Sequence, residues 1–67
     1  MIAINDRRIV TDINGKKVPV VDYFVDPASE VNNIDTLKIG NSSTAFVPST
    51  SQVAVLMDNV NGVWQWI

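Results

Sequence analysis

Apolar and polar residues alternate in short runs along most of the chain, and turn-forming residues separate the runs. Such alternation is typical of β-strands, in which every second side chain faces the same side. The clearest pair of runs is Ile9 to Ile13 and Lys16 to Val21, joined by Asn14-Gly15. Because Asn-Gly supplies the two positive φ angles of a type I′ turn, this pattern predicts a β-hairpin with a two-residue loop.

A two-residue loop also predicts the register of this hairpin. Ile9 is expected to face Val20, and Pro19 is expected to lie opposite Val10. Proline has no amide hydrogen to donate to a neighbouring strand. We therefore expect the strand that carries Pro19 to have a free edge at that position or to contain a bulge.

The segments before and after this hairpin have weaker patterns. Met1 to Ile4 predicts a short strand, with Asn5-Asp6 as a turn. Asp26 to Glu30 combines a helix-capping acceptor with a following proline, which predicts a short helical turn that ends near Asn32-Asn33. Gly40 to Ser43 predicts a loop, because no phosphate-binding glycine spacing surrounds it.

The C-terminal third predicts a meander of three strands: Thr44 to Val47, Gln52 to Met57 and Val63 to Ile67. The last turn allows two registers. A two-residue turn at Asn61-Gly62 pairs Met57 with Trp66, whereas a four-residue loop from Asn59 to Gly62 pairs Met57 with Trp64.

Alternation in this meander puts Trp64 and Trp66 on one face of their strand. In the preceding strand Val53, Val55 and Met57 alternate with residues that are also apolar. A strand that is apolar on both faces lies between two layers of one chain or between one layer and another subunit.

The composition supports a β fold. Eleven Val and seven Ile stand against two Leu, and β-branched side chains favour a pleated sheet over a helix. We expect one all-β domain over residues 1–67, built as a small β-sandwich or open barrel of antiparallel hairpins with one short helical turn. A chain of 67 residues buries only about 60% of its unfolded surface, so we also expect it to associate with itself or with a larger partner.

The charge and the residue types argue against several classes of function. The chain has no His and no Cys, which removes the usual general base, thiolate nucleophile and zinc ligands. We therefore expect no enzyme activity, no metal and no cofactor. The net charge of −2 disfavours nucleic acid as a partner, and no apolar stretch is long enough to predict a membrane span or a signal peptide.

The candidate site is a protein interface rather than a catalytic centre. Aromatic and aliphatic side chains dominate the energetics of such interfaces, and an edge strand adds unpaired backbone groups. Trp64 and Trp66 fit either the centre of the core or an intermolecular anchor. The full set of candidate interface residues is Pro19, Val53, Val55, Met57, Trp64 and Trp66.

Three C-terminal segments, Ser43 to Val47, Ser51 to Asp58 and Trp64 to Ile67, resemble small proteins encoded in the structural gene clusters of tailed bacteriophages. Those proteins usually have Gly-Ser at the position where this chain has Asn41-Ser42. This chain also has Pro48 in place of an Asp, and Ala54 in place of a Tyr. The resemblance implies a virion component, such as a head fibre base, a capsid decoration protein or a neck-associated protein, and such proteins are often trimeric.

The leading hypothesis is therefore a non-enzymatic phage structural protein that binds a capsid or neck surface and its own copies, and that resides in the virion. The alternative is a small acidic inhibitor or adaptor that uses its carboxylates to block a basic site on a host enzyme. Salt distinguishes the two hypotheses, because an electrostatic contact weakens at high ionic strength and an apolar contact hardly changes.

Overall fold

A computed structural model describes residues 1–11 and 14–67; the predicted end of the first strand at Ile13 lies outside this range. The described chain is mostly β, which confirms the predicted fold class. Two short 3₁₀ helices, Ala28–Asn33 and Thr36–Lys38, lie between the second and third strands. The five strands are β1 (Ile2–Thr11), β2 (Lys17–Val25), β3 (Thr44–Val47), β4 (Gln52–Asp58) and β5 (Val63–Trp66).

The strands form one sheet in the order β1-β2-β3-β4-β5. Strand β2 pairs with β3 in parallel, and the other neighbours pair antiparallel. The sequence predicted antiparallel hairpins arranged as a sandwich or barrel, and the structure has a single open sheet instead. The parallel pair requires a crossover, since the chain must return to the same end of the sheet before β3 begins.

This crossover, residues 26–43, covers one face of the sheet. Val31, Ile34 and Ile39 of the crossover pack against strand residues on that side. We call this side the covered face and the opposite side the open face. The strand residues that form the core on the covered face are Val21, Tyr23, Val25, Ala45, Val47, Ala54, Leu56 and Trp64.

The first hairpin has a different register from the predicted one. Ile9 lies opposite Pro19, and Val10 lies opposite Val18, one residue away from the expected pairs. The predicted turn at Asn5-Asp6 is also wrong, because β1 runs continuously past it with a bulge at Asn5. The one-residue difference is already present at Thr11 and Lys17, the described pair nearest the turn, so the bulge at Asn5 does not cause it; the bulge adds a second shift only for the pairs from Ile4 to Ile2.

Pro19 fits its strand because its nitrogen faces away from β1. Its carbonyl accepts a hydrogen bond of 2.7 Å from the Gly40 amide, on the side of β2 that faces β3 but before the pairing of the two strands begins at Asp22. Two residues on, the Val21 amide donates to the Ser43 hydroxyl on that same side. The expectation of a free edge at Pro19 is therefore met on one side, where no strand pairs with it.

The predicted helical turn is present as the first 3₁₀ helix. Its N-cap is Pro27 rather than Asp26, and no side chain caps it. The Asp26 carboxylate instead accepts a hydrogen bond of 2.8 Å from the Ser49 hydroxyl. The second 3₁₀ helix does have a side-chain cap, since the Asp35 carboxylate accepts from the Leu37 amide.

Of the two registers that the sequence left open, the last hairpin uses the four-residue loop, with Asp58 opposite Val63. A bulge at Met57 then changes the expected partner of the first tryptophan, so that Trp64 lies opposite Leu56. Trp66 lies opposite Ala54. Both tryptophans therefore belong to the covered face, as the alternation predicted.

Candidate interaction surface

An apolar stripe crosses the open face of the sheet. In register, Ala3 lies beside Phe24, Phe24 beside Phe46, and Phe46 beside Val53. Just beyond β5, the Ile67 amide donates to the Val53 carbonyl, which extends the stripe to the outer edge. The stripe is thus built from one residue of each of four strands and the residue after the fifth.

The side chains of this stripe are partly exposed rather than buried. The rings of Phe24 and Phe46 meet edge to face, with centroids 6.0 Å apart and an interplanar angle of 65°. Val53 and its neighbour Val55 are half-buried on the same face. Edge-to-face contact is a favourable arrangement of two aromatic rings, and it joins Phe24 and Phe46 into one continuous apolar surface across β2 and β3.

A polar row borders the stripe on one side. The Asp22 carboxylate accepts a hydrogen bond of 2.8 Å from the Thr44 hydroxyl and lies 3.5 Å from the Arg8 guanidinium. Asp22 and Thr44 lie side by side on β2 and β3, next to the stripe, and Arg8 reaches Asp22 from the next position along β1, opposite Val20. An apolar centre with a hydrogen-bonded polar rim is the usual anatomy of a protein interface.

The two tryptophans occupy different environments on the covered face. Trp64 belongs to the core, because it packs against both groups of buried residues there. The first group is Val25, Val31, Ala45, Val47 and Ala54, and the second is Val21, Ile39 and Leu56. Trp66 is 39% exposed at the outer edge of β5. From the sequence, each tryptophan could be either a core residue or an intermolecular anchor. In the structure Trp64 is a core residue, whereas Trp66 is accessible.

The other candidate residues lie at separate places. Val53 and Val55 are on the open face, beside the stripe's aromatic rings. Met57 is 58% exposed at the bulge of β4. Pro19 is half-buried within β2, opposite Ile9. The structure therefore brings together the two valines but not the complete predicted set.

The candidate residues predicted from the sequence do not include the two phenylalanines at the centre of the stripe. Alternation puts Phe46 on the face opposite Ala45 and Val47, but the sequence does not show that the chain buries those two residues and leaves Phe46 partly exposed. The pairing of Phe24 with Phe46 was not readable, because it depends on the parallel contact between β2 and β3. Aromatic residues that meet through a crossover have no fixed spacing along the chain.

The carboxylates serve local structure. In the described part of the chain, each Asp or Glu contacts a nearby donor or cation. Asp58 shows the strongest such arrangement: its pKa is lowered by the Asn61 side chain and by the amides of Asn61 and Val60. Hydrogen bonds to the charged form of a carboxyl lower its pKa in this way. These acids stabilise turns and strand pairs and do not converge on one point.

Two shallow depressions lie near the turn end of β2. One, of about 300 Å³, is lined by Val10, Val18, Gly40, Asn41 and Asn59. The lining of the other includes the side chains of Lys16, Lys17 and Lys38. Among residues 1–11 and 14–67, no group of three acidic residues is placed to hold a metal ion. In the same part of the chain, no helix is long and apolar enough to span a membrane.

Burial affects one tyrosine at the junction of the two core groups. Tyr23 packs against residues of both groups on the covered face. Its burial raises the pKa of the phenol, while the nearby charge of Arg7 acts in the opposite direction. Because burial makes this phenol harder to ionise, we assign the ring a structural role in the core.

Comparison with known proteins gives no match: no protein-family model, no curated protein sequence and no solved structure is similar to this chain.

Proposed function

We propose that this protein is a non-enzymatic assembly protein that docks on another protein through the open face of its sheet. The stripe of Ala3, Phe24, Phe46, Val53 and Ile67 would make the central contact. The polar row formed by Arg8, Asp22 and Thr44 would lie at the rim.

One observation carries this proposal: β4 is apolar on both faces, and the part of the chain that the structure describes covers only one of them. Ala54 and Leu56 are buried under the crossover, whereas Val53 and Val55 face the open side. An apolar surface that its own chain does not cover is typical of a binding site for a partner.

We further propose that the partner is a capsid or neck protein of a tailed bacteriophage, and that the chain is located in the virion. The support is the resemblance of three segments to small phage structural proteins. These segments correspond closely to β3, β4 and β5, with short extensions. They contribute Phe46, Val53 and Ile67 to the stripe, so the resembling part of the chain and the proposed docking surface overlap.

The first experiment asks whether the chain is part of purified phage particles produced by the genome that encodes it. Immunoblots of gradient-purified particles are expected to contain the wild-type protein. A Val53→Thr/Val55→Thr double variant keeps β-branched side chains but makes the open face polar, and its amount on particles is expected to fall at least about tenfold.

The matched control is Leu37→Thr, which makes the same kind of change at a residue that is 70% exposed on the crossover. This variant is expected to remain on particles at the wild-type level. Equal loss of both variants, or wild-type protein found only in the unassembled fraction, would contradict the proposal.

A salt series addresses the alternative of an acidic inhibitor. At about 0.5 M salt the screening length is only a few ångströms, so a contact made by carboxylates is expected to dissociate while an apolar contact persists. The described carboxylates already have donors within the chain, and we therefore do not propose the inhibitor as a second function.

A further inference from the structure

The outer edge of β1 is exposed along its whole length. Of its residues, Ile2–Thr11, all but Ala3 are exposed, and among residues 1–11 and 14–67 no strand pairs with β1 on the side away from β2. Ile4 and Ile9 are 63% and 58% exposed, respectively. A long unpaired strand is a ready template for another strand.

The direction of the β1 backbone groups follows from β2. Pro19 and Val21 direct their carbonyl or amide toward residues 40–43, away from β1. In an antiparallel pair the residues opposite them, Ile9 and Arg7, must likewise direct their amides and carbonyls away from β2. The Arg7 amide accordingly donates to the Asp6 carboxylate rather than to β2.

Continuing this alternation across the bulge gives the complete set of outward residues. Ile4 lies opposite Tyr23 and Ile2 opposite Val25, and both partners have the same backbone direction as Val21. The bulge at Asn5 therefore keeps outward groups in both halves of β1. The outward residues are Ile2, Ile4, Arg7, Ile9 and Thr11.

A second copy of β1 fits this edge in one antiparallel register. With the two-fold axis at Arg7, the outward residues pair with outward residues: Ile4 with Ile9 of the copy, and Ile2 with Thr11 of the copy. About ten backbone hydrogen bonds then form, which is the number found in a typical protein interface.

The side chains in this register are complementary as well. Because Asn5 and Asp6 share one place in the pairing with β2, Asp6 comes opposite Arg8 of the copy, and the symmetry makes this ion pair twice. Moving the copy by two residues in either direction instead places two Asp6 or two Arg8 side chains opposite each other. It also separates Ile4 from Ile9.

The one unfavourable pair in this register is Arg7 with its own copy at the axis. Like charges directly opposite each other weaken strand pairing. Both side chains are exposed to solvent in the single chain, so they can turn away from each other. Removal of this Arg7 pair is expected to strengthen the contact between the two strands. A test can detect this effect, which is particular to this register.

We infer that two copies of this chain pair through β1, antiparallel and centred on Arg7, to form one continuous sheet across the dimer. This inference goes beyond the proposed function and uses the edge of the sheet rather than its open face.

The test uses charge reversal, followed by mixing of the two variants. Arg8→Glu sets two acids opposite each other twice in the dimer, and Asp6→Lys sets two cations opposite each other twice. Each variant alone is expected to dimerise at least about tenfold more weakly than wild type in sedimentation velocity experiments. Their equimolar mixture is expected to dimerise as wild type does, because both cross-pairs then have opposite charges.

Two matched controls change the net charge by the same amounts away from β1. Lys38→Glu matches Arg8→Glu, and Asp35→Lys matches Asp6→Lys. Both controls are expected to dimerise like wild type, and circular dichroism checks that every variant is folded. Arg7→Thr removes the like pair at the axis and is expected to tighten the dimer severalfold.

Amide hydrogen exchange of the wild-type chain gives an independent readout. The amides of Ile4, Ile9 and Thr11 are expected to become protected as the concentration rises into the dimeric range. A wild-type chain that stays monomeric at high micromolar concentration would overturn the inference. So would a dimer whose β1 amides stay unprotected, or one that the charge reversals leave unchanged.

These outcomes are separable from those for the proposed function. A chain that is monomeric in solution but bound to particles would contradict β1 pairing and leave docking through the open face intact. A β1 dimer that is absent from particles would support β1 pairing and contradict docking through the open face.

Discussion

The two faces of β4 carry the same kind of apolar residues but have different environments. On β4, Leu56 is 1% exposed beneath the crossover, and its neighbour Val55 is half-buried on the open face. The difference arises from the crossover and not from the strand itself. Apolar alternation therefore shows which side chains share a face, but not which face the chain itself covers.

The crossover is held in place by a small set of hydrogen bonds around Asn59. The Asn59 side chain donates to the Ile39 carbonyl, and its own carbonyl accepts from the Thr36 hydroxyl. Its amide donates to the Asn41 side chain. One loop residue between β4 and β5 thus ties the second half of the covering segment to the sheet.

The largest expected effect separates the core tryptophan from the exposed one. Trp64→Ala removes a side chain that packs against both groups of core residues, and we expect it to lower the free energy of unfolding by about 3 to 5 kcal/mol. Trp66→Ala is expected to cost clearly less, because that ring is partly exposed. Urea denaturation at low protein concentration measures both, and equal losses would contradict the assignment.

Neighbouring residues on β4 compare the two faces directly. Leu56→Ala is expected to lower the free energy of unfolding by about 2 to 5 kcal/mol, as in other buried positions. Val55→Ala, one residue away on the open face, is expected to cost about 1 kcal/mol, because that face is only half-buried. If the two losses in a dilute monomer are similar, the open face is covered after all.

Weakening the attachment of the crossover tests whether the crossover maintains the difference in burial between the two faces. Thr36→Val keeps the shape of a buried side chain but leaves the Asn59 carbonyl without its hydroxyl donor, and we expect a loss of about 1 to 2 kcal/mol. Thr50→Val, at an exposed turn, is the control and is expected to change stability by less than about 0.5 kcal/mol. Hydrogen exchange in residues 28–39 is expected to increase only in the first variant.

The smallest effect concerns the loop that carries Asn59. The pKa of Asp58 lies below its ordinary value of 3.8 because it accepts hydrogen bonds from Asn61 and Val60. A carboxyl with a lowered pKa in the folded state contributes stability that is complete above the ordinary value and is lost as the pH falls through the folded value. NMR titration of Asp58 and unfolding of Asp58→Asn across this range measure the shift and its contribution. An ordinary pKa would contradict it.

Local signals in the sequence accounted for part of this fold. The β3-β4-β5 meander and the shared face of the two tryptophans follow from alternation and turn residues. The choice between the two registers of the last hairpin and the bulge at Asn5 do not. Ile4 and Ile9 are an odd number of residues apart, so a regular strand would place them on opposite faces, and only the bulge aligns them.

The candidate site was less predictable than the strands. Val53 and Val55 could be proposed as interface residues because their strand is apolar on both faces. Their aromatic neighbour Phe24 could not, since it reaches Phe46 only through the parallel pair. Long-range pairing of this kind depends on how the crossover packs, which no short window of sequence contains.

The parallel contact between β2 and β3 also has a consequence for the order of folding. The two antiparallel parts of the sheet can each form from residues close in sequence, but joining them requires closure of the whole crossover. Contacts of high sequence separation form slowly relative to local ones. We expect the seam between β2 and β3 to be completed last in refolding and to control its rate.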